Sequence, residues 1–131
     1  MLTTAELTGE MEGWDNYVEL LAGSRIVCNY VLPSGTAAGA VTSLALQVNY
    51  RGQTLAFQTW TFEVLDTGTG SWVSLGDNAF AGDWVWSKHT FTLPAPLARF
   101  FASGTTLQIR YGTNSNADAS DIDQLLVTGT R

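Results

Sequence analysis

The chain is poor in charge and in proline, and it has a single cysteine and a single histidine. Charged residues make up 14% of its 131 positions and hydrophobic residues 45%, with three prolines. That balance excludes a disordered chain. Twelve acids stand against six bases, a net charge of −6. The bases, Arg25, Lys88 and Arg110 among them, are scattered singly. Nucleic acid is excluded as a partner, because binding it needs a concentrated positive footprint. A neutral polymer or a cation suits this composition better.

The single cysteine, Cys28, excludes an internal disulfide. Within "RIVCNYVL" it reads as a small buried hydrophobe. With one histidine, every Ser-His-Asp or Cys-His arrangement would have to pass through His89. That residue alternates with Phe91 and Leu93, as a packed core or edge histidine does. One His and one Cys cannot supply the ligand set of a zinc site. GxSxG, GxGxxG and P-loop patterns are absent. No apolar run approaches a membrane span, and "MLTTAELTGE" lacks the charged and apolar regions of a signal peptide. Met1 just ahead of a first strand suggests a domain cut from a longer, secreted parent.

What is present is alternation. Leu44, Leu46, Val48 and Tyr50 alternate with polar or small residues in "SLALQVNYRG", as do Trp60, Phe62 and Val64 in "QTWTFEVLD". Leu107, Ile109 and Tyr111 do the same in "TTLQIRYG". Period two with one wet face is the pattern of antiparallel sheets. Further strands are predicted at about 4–11, 17–21, 24–32, 71–76, 85–93 and 121–128. Glycine-rich and polar punctuation separates them, and "APLARFFASG" reads as a turn because of its prolines. The expectation is one domain over 1–131, an all-β, antiparallel two-sheet β-sandwich of jelly-roll type. Leu46, Val48, Trp60, Phe62, Val64, Phe91, Leu107 and Ile109 are its expected core.

Five tryptophans are many for this length. Trp60 belongs to the core and Trp72 to the core or a sheet edge. In "AGDWVWSKHTFTL", Trp84 and Trp86 share an outward face if Val85, Phe91 and Leu93 point inward, and such a strip marks a binding surface. The alternative is a curved chain that turns Trp86 inside. Trp14 and Tyr17 form a second aromatic group.

The stretch "YGTNSNADASDIDQLLV" carries oxygen donors at Asn114, Asn116 and Asp118, then at Asp121 and Asp123. The first three match positions 1, 3 and 5 of a calcium loop, but Ala119 and Leu125 replace the glycine and glutamate of an EF-hand. Asp121 and Asp123 stand about 6.6 Å apart if they share one face of a strand. Carboxylates that close need a cation or a donor. Glu6, Glu10, Glu12, Asp15 and Glu19 form a second acidic group, and acids from both ends of the chain could surround one calcium.

The segment "FEVLDTGTGSWVSLGDN", the Trp-bearing strand after it, and "GTTLQIRYGTNSNADASDIDQLLV" resemble bacterial β-sandwich carbohydrate-binding modules. These are the galactose-binding-like jelly rolls appended to glycoside hydrolases and polysaccharide lyases. The likeness covers roughly residues 40–128, while 12–40 depart from it. It implies a non-catalytic, extracellular domain that binds a polysaccharide and targets an attached catalytic domain to it. The ligand-binding residues it points to are Trp84, Trp86, Trp14, Asn114 and Asn116, and Arg110 stands among the candidates. It also implies a structural calcium held by Glu6 or Glu10 with Asp123. The ligand expected is a neutral or amino-sugar polysaccharide. Two readings stand beside it: a structural or adhesive sandwich, and a small glycan-active enzyme centred on Asp121, Asp123 and Arg110.

Overall fold

The computed structural model describes residues 4–6, 8–9, 17–102 and 104–131, the first two segments by backbone alone. The strands are β1 (Thr4–Glu6), β2 (Thr8–Gly9), β3 (Val18–Leu20), β4 (Arg25–Val31), β5 (Ser43–Arg51), β6 (Thr61–Asp66), β7 (Ser71–Asp77), β8 (Ser87–Thr92), β9 (Phe101–Ala102), β10 (Thr106–Gly112) and β11 (Ser120–Thr130). One sheet has the order β1-β11-β5-β8, with β3 on the other half of β11. The second runs β2-β4-β10-β6-β7, with β9 against β10. Every pairing is antiparallel. This is the expected all-β sandwich.

Alternation sets the core. Leu44, Leu46, Val48 and Tyr50 of β5 face Leu107, Ile109 and Tyr111 of β10 and Phe62 and Val64 of β6 across the sandwich, all buried. Trp60 is buried and stacks on Tyr111 with ring centroids 5.2 Å apart, and Phe62 packs against both Tyr111 and Phe91. All eight expected core residues are inside. Cys28 is buried, and "APLARFFASG" holds a short 3-10 turn at Leu97–Phe100 followed by β9. His89 lies on edge strand β8, exposed, with its ring stacked on Phe80.

Two details differ from the sequence reading. The strand expected at 85–93 begins at Ser87, so Trp84, Val85 and Trp86 occupy the turn before it, and Val85 points outward at 55% exposure. A hydrogen bond from the Trp84 amide to the Gly52 carbonyl (2.7 Å) holds that turn off the sheet. On β11, Ile122 faces Tyr50 and Gln124 faces Asn49, which leaves Asp123 as the extra residue of a β-bulge. Asp121 and Asp123 therefore do not share a regular face.

The registers bring four connections to one end of the sandwich. Arg51 lies opposite Asp121, Tyr50 opposite Ser87, Gly112 opposite both Arg25 and Thr61, and Thr61 opposite Asp77. Loops 21–24, 52–60, 78–86 and 113–119 gather there as a result.

Candidate functional site at the loop end

Buried amides hold these loops together. Asn78 is fully buried; its Nδ2 donates to the carbonyls of Gln53 (2.9 Å) and Gln58 (3.0 Å), and its Oδ1 accepts from the Trp60 amide (3.0 Å). Tyr50 donates its hydroxyl to the Gln53 carbonyl (2.9 Å). Burial pushes the ionisation of Tyr50, and of Tyr111 beside Ser120, well above the usual tyrosine range. Both hydroxyls therefore stay protonated and serve as fixed parts of the frame. Gln58 Nε2 then donates to the Asp118 carbonyl (2.8 Å), and Thr113 Oγ1 to the Thr59 carbonyl (2.6 Å). Loop 52–60 is tied in this way to loop 113–119.

Between the two tied loops lies an open cleft of about 440 Å³. Arg25, Leu55, Phe57, Gln58, Thr59, Thr61, Thr113, Asn114 and Ser115 line it. Phe57, one of these lining residues, is 70% exposed. Arg25 donates through Nη2 to Asn114 Oδ1. Gly112 makes room for Arg25, because a Cβ there would meet the Ser24 carbonyl oxygen at 2.6 Å and Arg25 Cα at 2.7 Å. A flat aromatic face beside amide, hydroxyl and guanidinium donors suits a sugar ring, which offers C–H patches on its faces and hydroxyls at its rim.

The expected site residues fall into separate groups. Asn114 lines the cleft, and Asn116 lies beside it in the same loop, where a Cβ on Gly23 would overlap its Oδ1. Trp84 and Trp86 stand at the same end, at 40% and 38% exposure. Trp86 packs on Tyr17 at 5.6 Å, and the Arg51 guanidinium lies over both rings at 4.7 and 5.0 Å. Arg51 is held by Asp121 (2.7 and 2.9 Å), and this bond favours its protonated form. Trp86 thus serves the packing of residue 17 onto the sheet as well as the surface. Trp14 lies outside the described residues.

Arg110 lies outside this loop cluster. It projects from the outer face of the second sheet, bound to Glu63 through two hydrogen bonds (2.9 and 3.1 Å) with its guanidinium over Trp72 at 4.5 Å. Asp121 is bound to Arg51 on the other sheet, and Asp123 accepts from Asn49 Nδ2 (3.0 Å). The polar centre of Asp121, Asp123 and Arg110 is therefore not assembled. The donors that two neighbouring acids need come from the protein itself.

For calcium, the backbone of Glu6 lies opposite Thr128, about 17 Å along β11 from Asp123. Those two do not converge, and Glu10 lies outside the described residues. Among the described residues no group of three or more His, Cys, Asp or Glu side chains forms a metal cluster.

Sequence reasoning missed Arg25, Phe57 and Arg51. The visible signal for Phe57 was an apolar Leu55-Ala56-Phe57 run between Gln53 and Gln58, in a segment too short to be a strand.

A family model, the N-terminal glycosyl-hydrolase-114-associated domain, matches residues 2–124. The chain belongs to that family. No curated protein sequence matches this associated domain. Among solved structures it resembles a family 35 carbohydrate binding module from an environmental isolate, with 14% identity and a TM-score of 0.54 over 97% of this chain and 88% of that one. It also resembles the xylan-binding module CBM15, with 9% identity and a TM-score of 0.53 over 97% and 95%. A third is BuGH86wt in complex with neoagarooctaose, at 14% identity and a TM-score of 0.56. There the associated domain covers 98% of its own length and only 18% of the larger chain. At these identities the likeness is one of fold. Among the described residues no helix is long and apolar enough to cross a membrane.

Proposed function

We propose that this associated domain is a non-catalytic carbohydrate-binding module whose ligand site is the cleft between loops 52–60 and 113–119. The observation that carries the reading is Phe57, 70% exposed beside Arg25 and Asn114 on a frame fixed by buried hydrogen bonds. Exposed apolar residues gathered at one place on a surface mark a binding region. Leu55, Trp84, Val85 and Trp86 extend the apolar rim at the same end. Asn116 and Trp14 belong to the wider surface proposed from the sequence. The carbohydrate-binding modules among the similar folds support the sugar class, and the family's association with glycosyl hydrolase 114 supports an attached glycoside hydrolase as the partner. β11 runs from the cleft to the opposite end of the sandwich, so a domain joined beyond it would leave the cleft open. Such a module would bring that enzyme to its polysaccharide outside the cell.

A structural calcium held by Glu10 and Asp123 belongs to the same proposal. Calcium should raise the melting temperature of chelator-treated protein, and Asp123→Asn should remove the response; equal melting with and without calcium removes the metal.

The decisive experiment is titration of the domain against a panel of soluble polysaccharides, alongside Phe57→Ala and Asn114→Ala. Loss of one stacking ring should weaken binding by about 1–3 kcal/mol, by analogy with base–aromatic stacking. Trp72→Ala, under Arg110 on the outer face of the second sheet and outside the cleft lining, should leave binding unchanged. Glycan turnover by the isolated domain, or full affinity in both cleft variants, would remove the reading.

A further inference from the structure

The composition favours a neutral or amino sugar, but the cleft itself carries a different charge. Three of the arginines have carboxylate partners: Arg51 with Asp121, Arg99 with Asp66 and Arg110 with Glu63. Arg25 has no such partner among the described residues; its hydrogen bond runs to the amide oxygen of Asn114. Among the described residues no Asp or Glu lines the cleft, in a chain with twelve acids and six bases. This side chain is also placed with care. Gly112 opposite Arg25 leaves room for it, and the Thr113 amide bonds the Ser24 carbonyl (3.1 Å) just ahead of it.

Resting on the proposed sugar-binding role, we propose that the cleft selects a sugar bearing a carboxylate, a uronic acid, with Arg25 as the specificity-determining residue. The pyranose ring lies against Phe57 and its carboxylate meets the guanidinium. The planar fork of arginine matches a carboxylate in two parallel hydrogen bonds, which are about twice as strong as neutral ones. Asn114, whose oxygen is engaged by Arg25, keeps its amide N–H groups for the same acceptor or for a neighbouring hydroxyl. An ammonium-bearing sugar would meet the guanidinium as a like charge. The net charge of −6 does not forbid an acidic ligand, because exposed charges are screened over about 8 Å at physiological salt.

The test compares three oligosaccharides of equal length by calorimetry at low and physiological salt: an oligouronate, its neutral parent and its amino-sugar analogue. Wild type should bind the oligouronate at least about tenfold more tightly than the neutral parent, as one charge-assisted hydrogen bond predicts. Higher salt should narrow the gap. Arg25→Gln should abolish the preference while keeping the melting temperature, and Arg25→Lys should restore only part of it. Equal or tighter binding of the neutral or amino sugar by wild type overturns this inference alone, as does a preference that survives in Arg25→Gln. Binding to none of the three overturns both the inference and the sugar-binding role on which it rests.

Discussion

Gln58 Nε2 donates to the Asp118 carbonyl at 2.8 Å, which joins the two loops that form the cleft. The side chain is only 3% exposed, and it also reaches the Ser115 carbonyl at 3.4 Å. A buried amide in this position orders backbone that would otherwise open to water. Gln58→Ala should leave those carbonyls unsatisfied and cost about 1–3 kcal/mol of stability. It should also weaken glycan binding although Gln58 holds backbone and stacks on nothing. Thermal melting and titration of the same variant check both; unchanged affinity would show that the cleft does not need this link.

Trp60 is fully buried and stacked on Tyr111. Trp60→Ala should cost about 3–5 kcal/mol, the range for deleting a large core ring. A denaturant melt measures it. A loss below 1 kcal/mol, far under that range, would mean that the core closes over the gap.

Tyr50 and Tyr111 both have ionisation pushed above the ordinary tyrosine value, chiefly by burial. The sign follows from linkage. Below pH ~10 both states keep the phenol proton and stability is unaffected by it; above that, the unfolded chain loses the proton first. Stability should therefore be flat through neutral pH and fall as pH rises past about 10. Melting temperature followed against pH, with tyrosinate absorbance as the second signal, should show ionisation of these two only as the protein unfolds. Tyrosinate signal from every tyrosine before unfolding would place them in water.

Much of the fold was legible because period-two alternation registers burial directly: β5, β6 and β10 have one buried face, and their apolar residues fall on it. Where alternation failed, the cause was local backbone. Asp123 lies at a bulge that no pattern of residue types announces, and Trp84 lies in a turn whose anchor is Gly52, far off in sequence. The site was less legible than the core. Asn114 stood out because a cluster of amides in a loop is unusual. Arg25 did not, since a lone arginine at a strand start resembles any solvated charge until Gly112 and Asn114 are placed around it. Trp84 and Trp86, one residue apart, looked like a pair, yet Trp86 is engaged by Tyr17 and Arg51.

That engagement makes Trp86 separable from Trp84. Arg51→Gln removes the cation over Tyr17 and Trp86 and leaves the Asp121 carboxylate without its partner. It should lower the melting temperature and red-shift the Trp fluorescence as Trp86 gains water. An unchanged spectrum would show that the stack is not populated in solution.

Trp84 is the stronger case for a residue kept for its ring. Its φ of 52° lies in the left-handed region, and it is the one positive-φ residue other than glycine among the described residues. An L side chain there costs about 1–2 kcal/mol, which glycine does not pay. The ring is 40% exposed, so a large part of it stays open to a ligand. Trp84→Gly relieves the backbone and removes the aromatic surface at once. The variant should keep or raise the melting temperature while glycan binding falls, by about 1–3 kcal/mol if the ring stacks on sugar as aromatic rings stack on bases. Opposite signs in the two measurements identify a ligand platform held at the expense of stability. A lower melting temperature with unchanged binding would instead assign Trp84 to packing and confine the ligand to the cleft beside Phe57.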